Sequence, residues 1–304
     1  RDVPGLEKYH GKDIYLTEAL TLEMNAEIKR SVDEKKPFFA YMAHYAVHAP
    51  FNPDPRFAAN YANQKIAKNA KAFATMIEGI DKSLGDMLDH VEKLGVAEDT
   101  LVFFLGDNGT DAPLGKTHAI ACAAPLRGKK GTHYEGGMRV PFIAAWAKPN
   151  KDNSLQKSLP IPGGVLSASK GSICDLFPTI LNLAGIEHSG KIDGSDLGKA
   201  LTGGKRSEEF TFLMHFPHSH RSSYFTAWHQ GDWKLVYHYH RPAETRHELF
   251  NLAADRTESK NLAGADKKEL HRMLKSMTAA LQDADAQYPY SKKNPGTKVK
   301  PALP

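Results

Sequence analysis

Leu101-Val-Phe-Phe-Leu105-Gly106-Asp107-Asn108-Gly109 is an apolar run stopped by glycine and followed at once by a carboxylate and a carboxamide. Short apolar runs of this composition, bounded by glycine, read as buried strands. Such a strand delivers Asp107 and Asn108 at its carboxyl end, two hard oxygen donors of the kind that hold Ca²⁺ or Mg²⁺. Ligands of open α/β sheets collect at the carboxyl ends of strands, so the stretch predicts both an α/β fold and the place of its site. Downstream, Leu126-Arg-Gly-Lys-Lys130-Gly-Thr-His-Tyr-Glu135-Gly-Gly-Met-Arg139-Val-Pro141 is a glycine-rich cationic loop. Its charge suits a tetrahedral oxyanion held against a metal. Upstream, Pro37-Phe-Phe-Ala-Tyr-Met-Ala-His44-Tyr-Ala-Val-His48-Ala-Pro50-Phe51 is a second apolar run, ending in two histidines. Singly, Asp-Asn-Gly also fits a turn and Arg-Gly-Lys-Lys a solvated basic loop; the three segments together favour a site.

These segments resemble the sulfatases of the alkaline phosphatase superfamily, the enzymes that use a formylglycine nucleophile. In that family one strand ends in His-x-Pro and another in Gly-Asp-Asn-Gly. A loop then reads Leu-Arg-Gly-Gly-Lys-Gly-x-x-(Tyr/Trp)-Glu-Gly-Gly-x-Arg-x-Pro. Here the matches are His48-Ala-Pro50, Gly106-Asp-Asn-Gly109 and the loop from Leu126 to Pro141. The resemblance runs from about residue 10 to about residue 265 and takes in Asp175-Leu-Phe-Pro-Thr179, Gly231-Asp-Trp-Lys-Leu235 and Glu248-Leu-Phe-Asn-Leu252.

The resemblance implies an alkaline-phosphatase-like α/β domain, its mostly parallel sheet flanked by helices, with a smaller C-terminal α+β subdomain of antiparallel sheet and helix. It makes Asp107 and Asn108 ligands of Ca²⁺, or of Mg²⁺ in its place. Lys130 aligns with the lysine on the sulfate oxygens. Lys129 stands where the family commonly has glycine, which leaves open which ammonium faces the site; Lys130 is preferred. His48 aligns with the histidine that contacts sulfate and protonates the departing oxygen, and Glu135 with Arg139 are expected to brace the loop as an ion pair. His133, His215, His218 and Arg221 are expected to line the mouth of the pocket and contact the leaving group. The spacing of His215, His218 and His220 also admits a zinc site, but nothing nearby completes a tetrahedral set.

Family members form formylglycine in Cys/Ser-x-Pro/Ala-x-Arg. Cys122 has Pro125 and Arg127 each one place too far along, and Cys174 lacks the arginine. The nucleophile is therefore expected in an N-terminal segment missing from this chain, which is expected to be the C-terminal two-thirds of a sulfatase. The function implied is hydrolysis of sulfate esters of a sulfated saccharide, by an enzyme exported to the periplasm, cell exterior or lysosome. A phosphoesterase or phosphonate hydrolase on the same scaffold and a non-catalytic fragment that binds anionic glycans are the alternatives.

Composition agrees with a globular protein: 304 residues, 41% hydrophobic and 25% charged. No apolar run approaches the ~20 residues of a membrane span. A net charge of +5 suits an anionic substrate without pointing to nucleic acid. Fifteen histidines add latent charge at lower pH, and two distant cysteines make no disulfide framework. Oligomeric state is not legible.

Periodicity predicts a helix with Leu20, Met24, Ile28 and Val32 on one face, capped by Thr17, then a strand over 38–43. A longer helix spans about 70–94, with Gly95 placed for a left-handed cap. Strands at 101–105 and 140–146, an exposed linker at 150–164 and a helix over 175–184 follow. Beyond Gly203-Gly204 come antiparallel strands at 209–214, 224–228 and 233–237 and a helix over 267–283. The division predicted is a catalytic region over residues 1–204, an α+β subdomain over 205–287 and an extended Pro- and Lys-rich tail over 288–304.

Overall fold

The computed structural model describes residues 3–113, 122–206, 208–221 and 223–302. The chain divides into two compact units. One holds Arg1–Phe104, Ala112–Gly115 and Ile143–Ile161; the other holds Leu105–Asp111, Lys116–Phe142 and Pro162–Pro304.

The first unit is built on α1 (Leu16–Asp33) and α2 (Lys68–Lys93). Ile28 and Val91 are buried together, with Met24 and Leu94 packed beside them, and the Thr21 and Ser83 hydroxyls meet at 2.6 Å. Thr17 is buried inside α1 rather than capping it, because the helix already starts at Leu16 after extended Tyr15. Gly95 has φ +75°, the left-handed C-terminal position expected of it. Strand β1 (Leu101–Leu105) pairs with β2 (Phe142–Trp146). The 38–43 segment alternates as a strand should, with Phe39 and Tyr41 72% and 73% exposed, but it pairs with no other strand among the described residues. A period of two predicts which side chains share a face; ladder formation also needs a neighbouring backbone.

The second unit contains a four-stranded antiparallel sheet in the order β3 (Thr211–Phe216), β4 (Phe225–Gln230), β5 (Trp233–His238), β6 (His247–Asn251). The sequence reading missed β6 as a strand. Register puts Trp228 opposite Leu235 and Leu235 opposite Leu249. These residues form one face, covered by Leu270, Met273, Leu274, Met277 and Leu281 of the C-terminal helix (Lys267–Asp283). Burying each such side chain contributes roughly 1.5–3 kcal/mol. That helix starts where the Asp266 carboxylate accepts the Glu269 N–H at 2.9 Å. Alternation sends Phe225, Ala227 and His229, then Lys234, Val236 and His238, then Glu248 and Phe250, to the opposite face. That face is buried too, and Met138 of the cationic loop packs on it.

Two expectations change here. The division does not fall at 204: the segment 105–111 and the cationic loop group with the C-terminal sheet, because charged side chains on the second face of that sheet grip the loop. The tail is not an extended arm. It turns back through an antiparallel bridge between Tyr290 and Lys298 and packs Tyr288 and Val299 against the core. Proline and lysine content obscured those two apolar anchors. Among the described residues no helix is long and apolar enough to cross a membrane.

Candidate active site

The segment after β1 is stitched directly to the cationic loop. Gly109 N–H donates to the Gly137 carbonyl at 2.9 Å, and Lys130 N–H donates to the Thr110 carbonyl at 3.0 Å. The loop is closed on itself by Gly136 N–H to the Arg127 carbonyl at 2.7 Å and by the Thr132 hydroxyl to the Lys129 carbonyl at 2.8 Å. Such close approach of backbones requires glycine. A Cβ on Gly109 would stand 2.0 Å from the Gly136 carbonyl oxygen, and one on Gly136 would stand 2.5 Å from that of Gly128.

Within this frame the two lysines differ. The Lys129 ammonium lies 3.3 Å from Asp111, whose other oxygen takes Arg221 at 3.1 Å. Burial would raise the Asp111 carboxyl, but the two cations outweigh it and hold it below the usual range. Among the described residues the Lys130 ammonium makes no hydrogen bond or ion pair. Asp107 is exposed and accepts a hydrogen bond from the Asn108 amide. A carboxylate and a reorientable carboxamide oxygen on adjacent residues fit a hard divalent cation; further donors would have to complete its shell.

Beneath the loop lie two buried ionic centres. In the first, the fully buried Lys234 ammonium sits 3.1 Å from Glu135 and 2.7 Å from Glu258. Glu258 also accepts the Glu135 N–H at 2.6 Å, and its carbonyl accepts Arg127 at 3.0 Å. The expected Glu135–Arg139 pair is present at 3.8 Å, longer than the pair to Lys234. In the second, Glu248 accepts from His238 at 2.6 Å and from the Tyr134 hydroxyl at 3.0 Å, with His133 at 3.5 Å. Burial alone would raise the Glu248 carboxyl; its two histidine partners together keep it well below the ordinary range. Burial lowers His238, which donates as a neutral imidazole. His133, His238 and Glu248 are close enough to share a metal, but Arg241 at 3.6 Å already sets a positive charge against that carboxylate, which suits a brace better than a cation site.

Burial pushes His133 down from 6.5 to about 4. Below its unfolded value the unfolded chain takes up a proton that the folded state refuses, so stability falls as pH drops through that window. The loss is on the order of 3 kcal/mol between the two values. Urea midpoints at about pH 7.5 and about pH 4.5 should converge in His133→Gln relative to the parent, which keeps the larger acid loss.

The sulfatase family model matches residues 3–186. The chain belongs to the sulfatase family. A second model, described as N-sulphoglucosamine sulphohydrolase, C-terminal, matches residues 129–287, the stretch that joins the loop to the sheet. Steryl-sulfatase of Mus musculus is 31% identical over 230 residues, covering 73% of this sulfatase chain and 33% of the relative. N-acetylgalactosamine-6-sulfatase of Canis lupus familiaris is 35% identical over 203 residues, covering 66% of this chain and 34% of the relative. The chain thus spans about a third of the length of these relatives. The crystal structure of Ps i-CgsB, solved also with k-i-k-neocarrahexaose, superposes with a TM-score of 0.73 at 27% identity over 90% of this chain and 57% of that one. The fold is that of the alkaline-phosphatase-like superfamily.

In this sulfatase chain Asp107, Asn108, Lys130, His133, His218 and Arg221 all lie in the second unit, and His48 lies in the first. His48 is exposed, and its Nδ1 is 2.7 Å from the Ala49 carbonyl, which leaves Nε2 outward. Two expectations for the leaving-group side need correction. His215 belongs to β3 and, by strand parity, points to the helix-covered face, where Thr226 at 2.8 Å and the Gln287 carbonyl at 2.5 Å take both ring nitrogens. That same engagement leaves it no role in a zinc site. His133 is 2% exposed and packs, with its ring tilted, against Tyr134 and Phe225 instead of lining a mouth. His218 and Arg221 are exposed.

Sequence reasoning missed Asp111, Lys234 and Glu258. For Lys234 a signal existed: a lysine between Trp233 and Leu235-Val-Tyr237, in an antiparallel strand, falls on the face opposite Leu235 and cannot reach water if both faces are covered.

Proposed function

We propose that this chain belongs to a sulfuric ester hydrolase acting on a sulfated saccharide. The observation that carries the reading is the direct backbone join between the segment bearing Asp107 and Asn108 and the loop bearing Lys130, whose ammonium is unengaged among the described residues. A sulfate ester shields its sulfur with charged oxygens, so cleavage needs charge neutralisation, an in-line nucleophile and a proton for the leaving alkoxide. Lys130 supplies a point charge to the oxyanion. Asp111 turns Lys129 away from that task. By the family resemblance, His48 is the residue that gives a proton to the departing oxygen. Asp107 and Asn108 hold Ca²⁺, or Mg²⁺, which when bound polarises the sulfate. The nucleophile of the intact enzyme is formylglycine, a role for which no residue of this chain has the sequence context. The saccharide preference draws on the sulfated-sugar names and ligand of the relatives.

The test assays the intact enzyme on aryl sulfate beside aryl phosphate, before and after chelation. Turnover that favours sulfate, stops on chelation and returns with Ca²⁺ or Mg²⁺ is the expected result. Preference for phosphate, or indifference to chelation, would overturn the assignment.

A further inference from the structure

Beside the loop, a cleft of about 330 Å³ is walled by Arg221, Tyr224, His238, His240, Arg241 and Lys292, and among the described residues no carboxylate lines it. Two acids hold its guanidiniums from behind: Asp111 lies 3.1 Å from Arg221 and Glu248 lies 3.6 Å from Arg241. Each arginine side chain stays 44% exposed. Since a guanidinium carries five N–H donors, these groups are oriented yet keep donors for a ligand. The turned-back tail delivers Lys292, whose ammonium stands 5.8 Å from the Tyr224 ring centroid and meets no carboxylate among the described residues. His240 packs edge-on against the same ring at 4.5 Å. Burial and the Lys292 charge both hold that imidazole below its ordinary value, as expected where positive potential accumulates.

The cleft also adjoins the residue assigned to the hydrolysed group. Arg221 donates to the Lys130 carbonyl at 3.4 Å, and its stem lies so close over Gly131 that a Cβ there would come within 2.6 Å. Asp111 and Glu248 each also serve other cationic or histidine partners, so the cleft keeps a positive excess that an anion would offset. Forked N–H donors suit carboxylate and sulfo oxygens alike. We propose that this cleft is a second oxyanion subsite, holding a sulfo or carboxylate group of the substrate other than the one removed. The inference rests on the sulfate-ester reading above and adds to it a preference for substrates with at least two negative groups.

The experiment compares the intact parent with Arg241→Met and Lys292→Met on three substrates: an aryl monosulfate, a disulfated disaccharide, and a monosulfated disaccharide with a uronate. Lys292 is an exposed tail residue, so its variant keeps the test valid should Arg241→Met fold poorly. The expected result is a rise in KM of about tenfold or more for a doubly charged substrate relative to the aryl monosulfate, with kcat little moved. Arg241→Lys should recover some of it. A loss confined to the disulfated substrate assigns a sulfo group, and one confined to the uronate assigns a carboxylate. Equal changes on all three substrates, or none, overturn the subsite while the sulfatase reading stands. A parent that turns over none of the three overturns both.

Discussion

Lys234→Met is expected to cost about 3–5 kcal/mol of stability, the range for removing one partner of a buried ion pair. The ammonium is fully buried, 3.1 Å from Glu135 and 2.7 Å from Glu258. Methionine fills most of the volume but leaves Glu258 facing Glu135 with no buried cation between them, and the longer 3.8 Å pair to Arg139 remains to Glu135. Burial already raises the Glu258 carboxyl above its ordinary value, against the pull of Lys234. Without that pull it rises further. A carboxyl raised by folding contributes stability at low pH that is lost as pH climbs through its folded value. The variant should therefore lie furthest below the parent at neutral pH and close some of the gap on acidification through the range of Glu258. Adding Glu258→Gln should recover some of the loss, as a coupled pair does in a double-mutant cycle. Urea denaturation across pH measures all of this; a loss below about 1 kcal/mol would mean that the cluster is wetter than its geometry implies. Turnover should fall as well, since Glu135 ties Lys234 to the segment that carries Lys130.

The reach of the sequence follows from what each feature depends on. Gly106-Asp-Asn-Gly109 and the 126–141 loop were legible because glycine and charge at fixed spacing have few alternative readings. The C-terminal helix was legible because its apolar residues recur every three or four positions; its cap at Asp266 came from the structure. Strand parity was legible in principle but went unused. It would have sent His215 to the same face as Leu213, away from the loop, and placed Lys234 and Glu248 together on the face beneath it. Pairing was not legible, because β6 and the unpaired 38–43 segment differ in neighbours rather than in pattern. Nor was the division of the chain, which long-range contacts decide: Glu135 and Lys234 are 99 residues apart. The choice between Lys129 and Lys130 waited on Asp111, a residue that no motif marks.

Lys130→Met should lower kcat on aryl sulfate by about 10²–10³, the usual cost of deleting one preorganised charge-stabilising group, while thermal stability stays near that of the parent. The second half of that expectation comes from the same observation as the first: an ammonium with no partner among the described residues supports nothing else in the fold. Lys129→Met should behave in the opposite sense. It removes the 3.3 Å contact to Asp111, which leaves that carboxylate with Arg221 as its remaining cation, so stability drops, whereas kcat falls less. Asp111→Asn sharpens the comparison, because it frees Lys129 to swing toward the oxyanion; in the Lys130→Met background it should restore some of the lost turnover. If Lys129→Met proves the more damaging to kcat and Lys130→Met is nearly silent, the inward ammonium is Lys129, and the ion pair with Asp111 is a resting state broken by substrate.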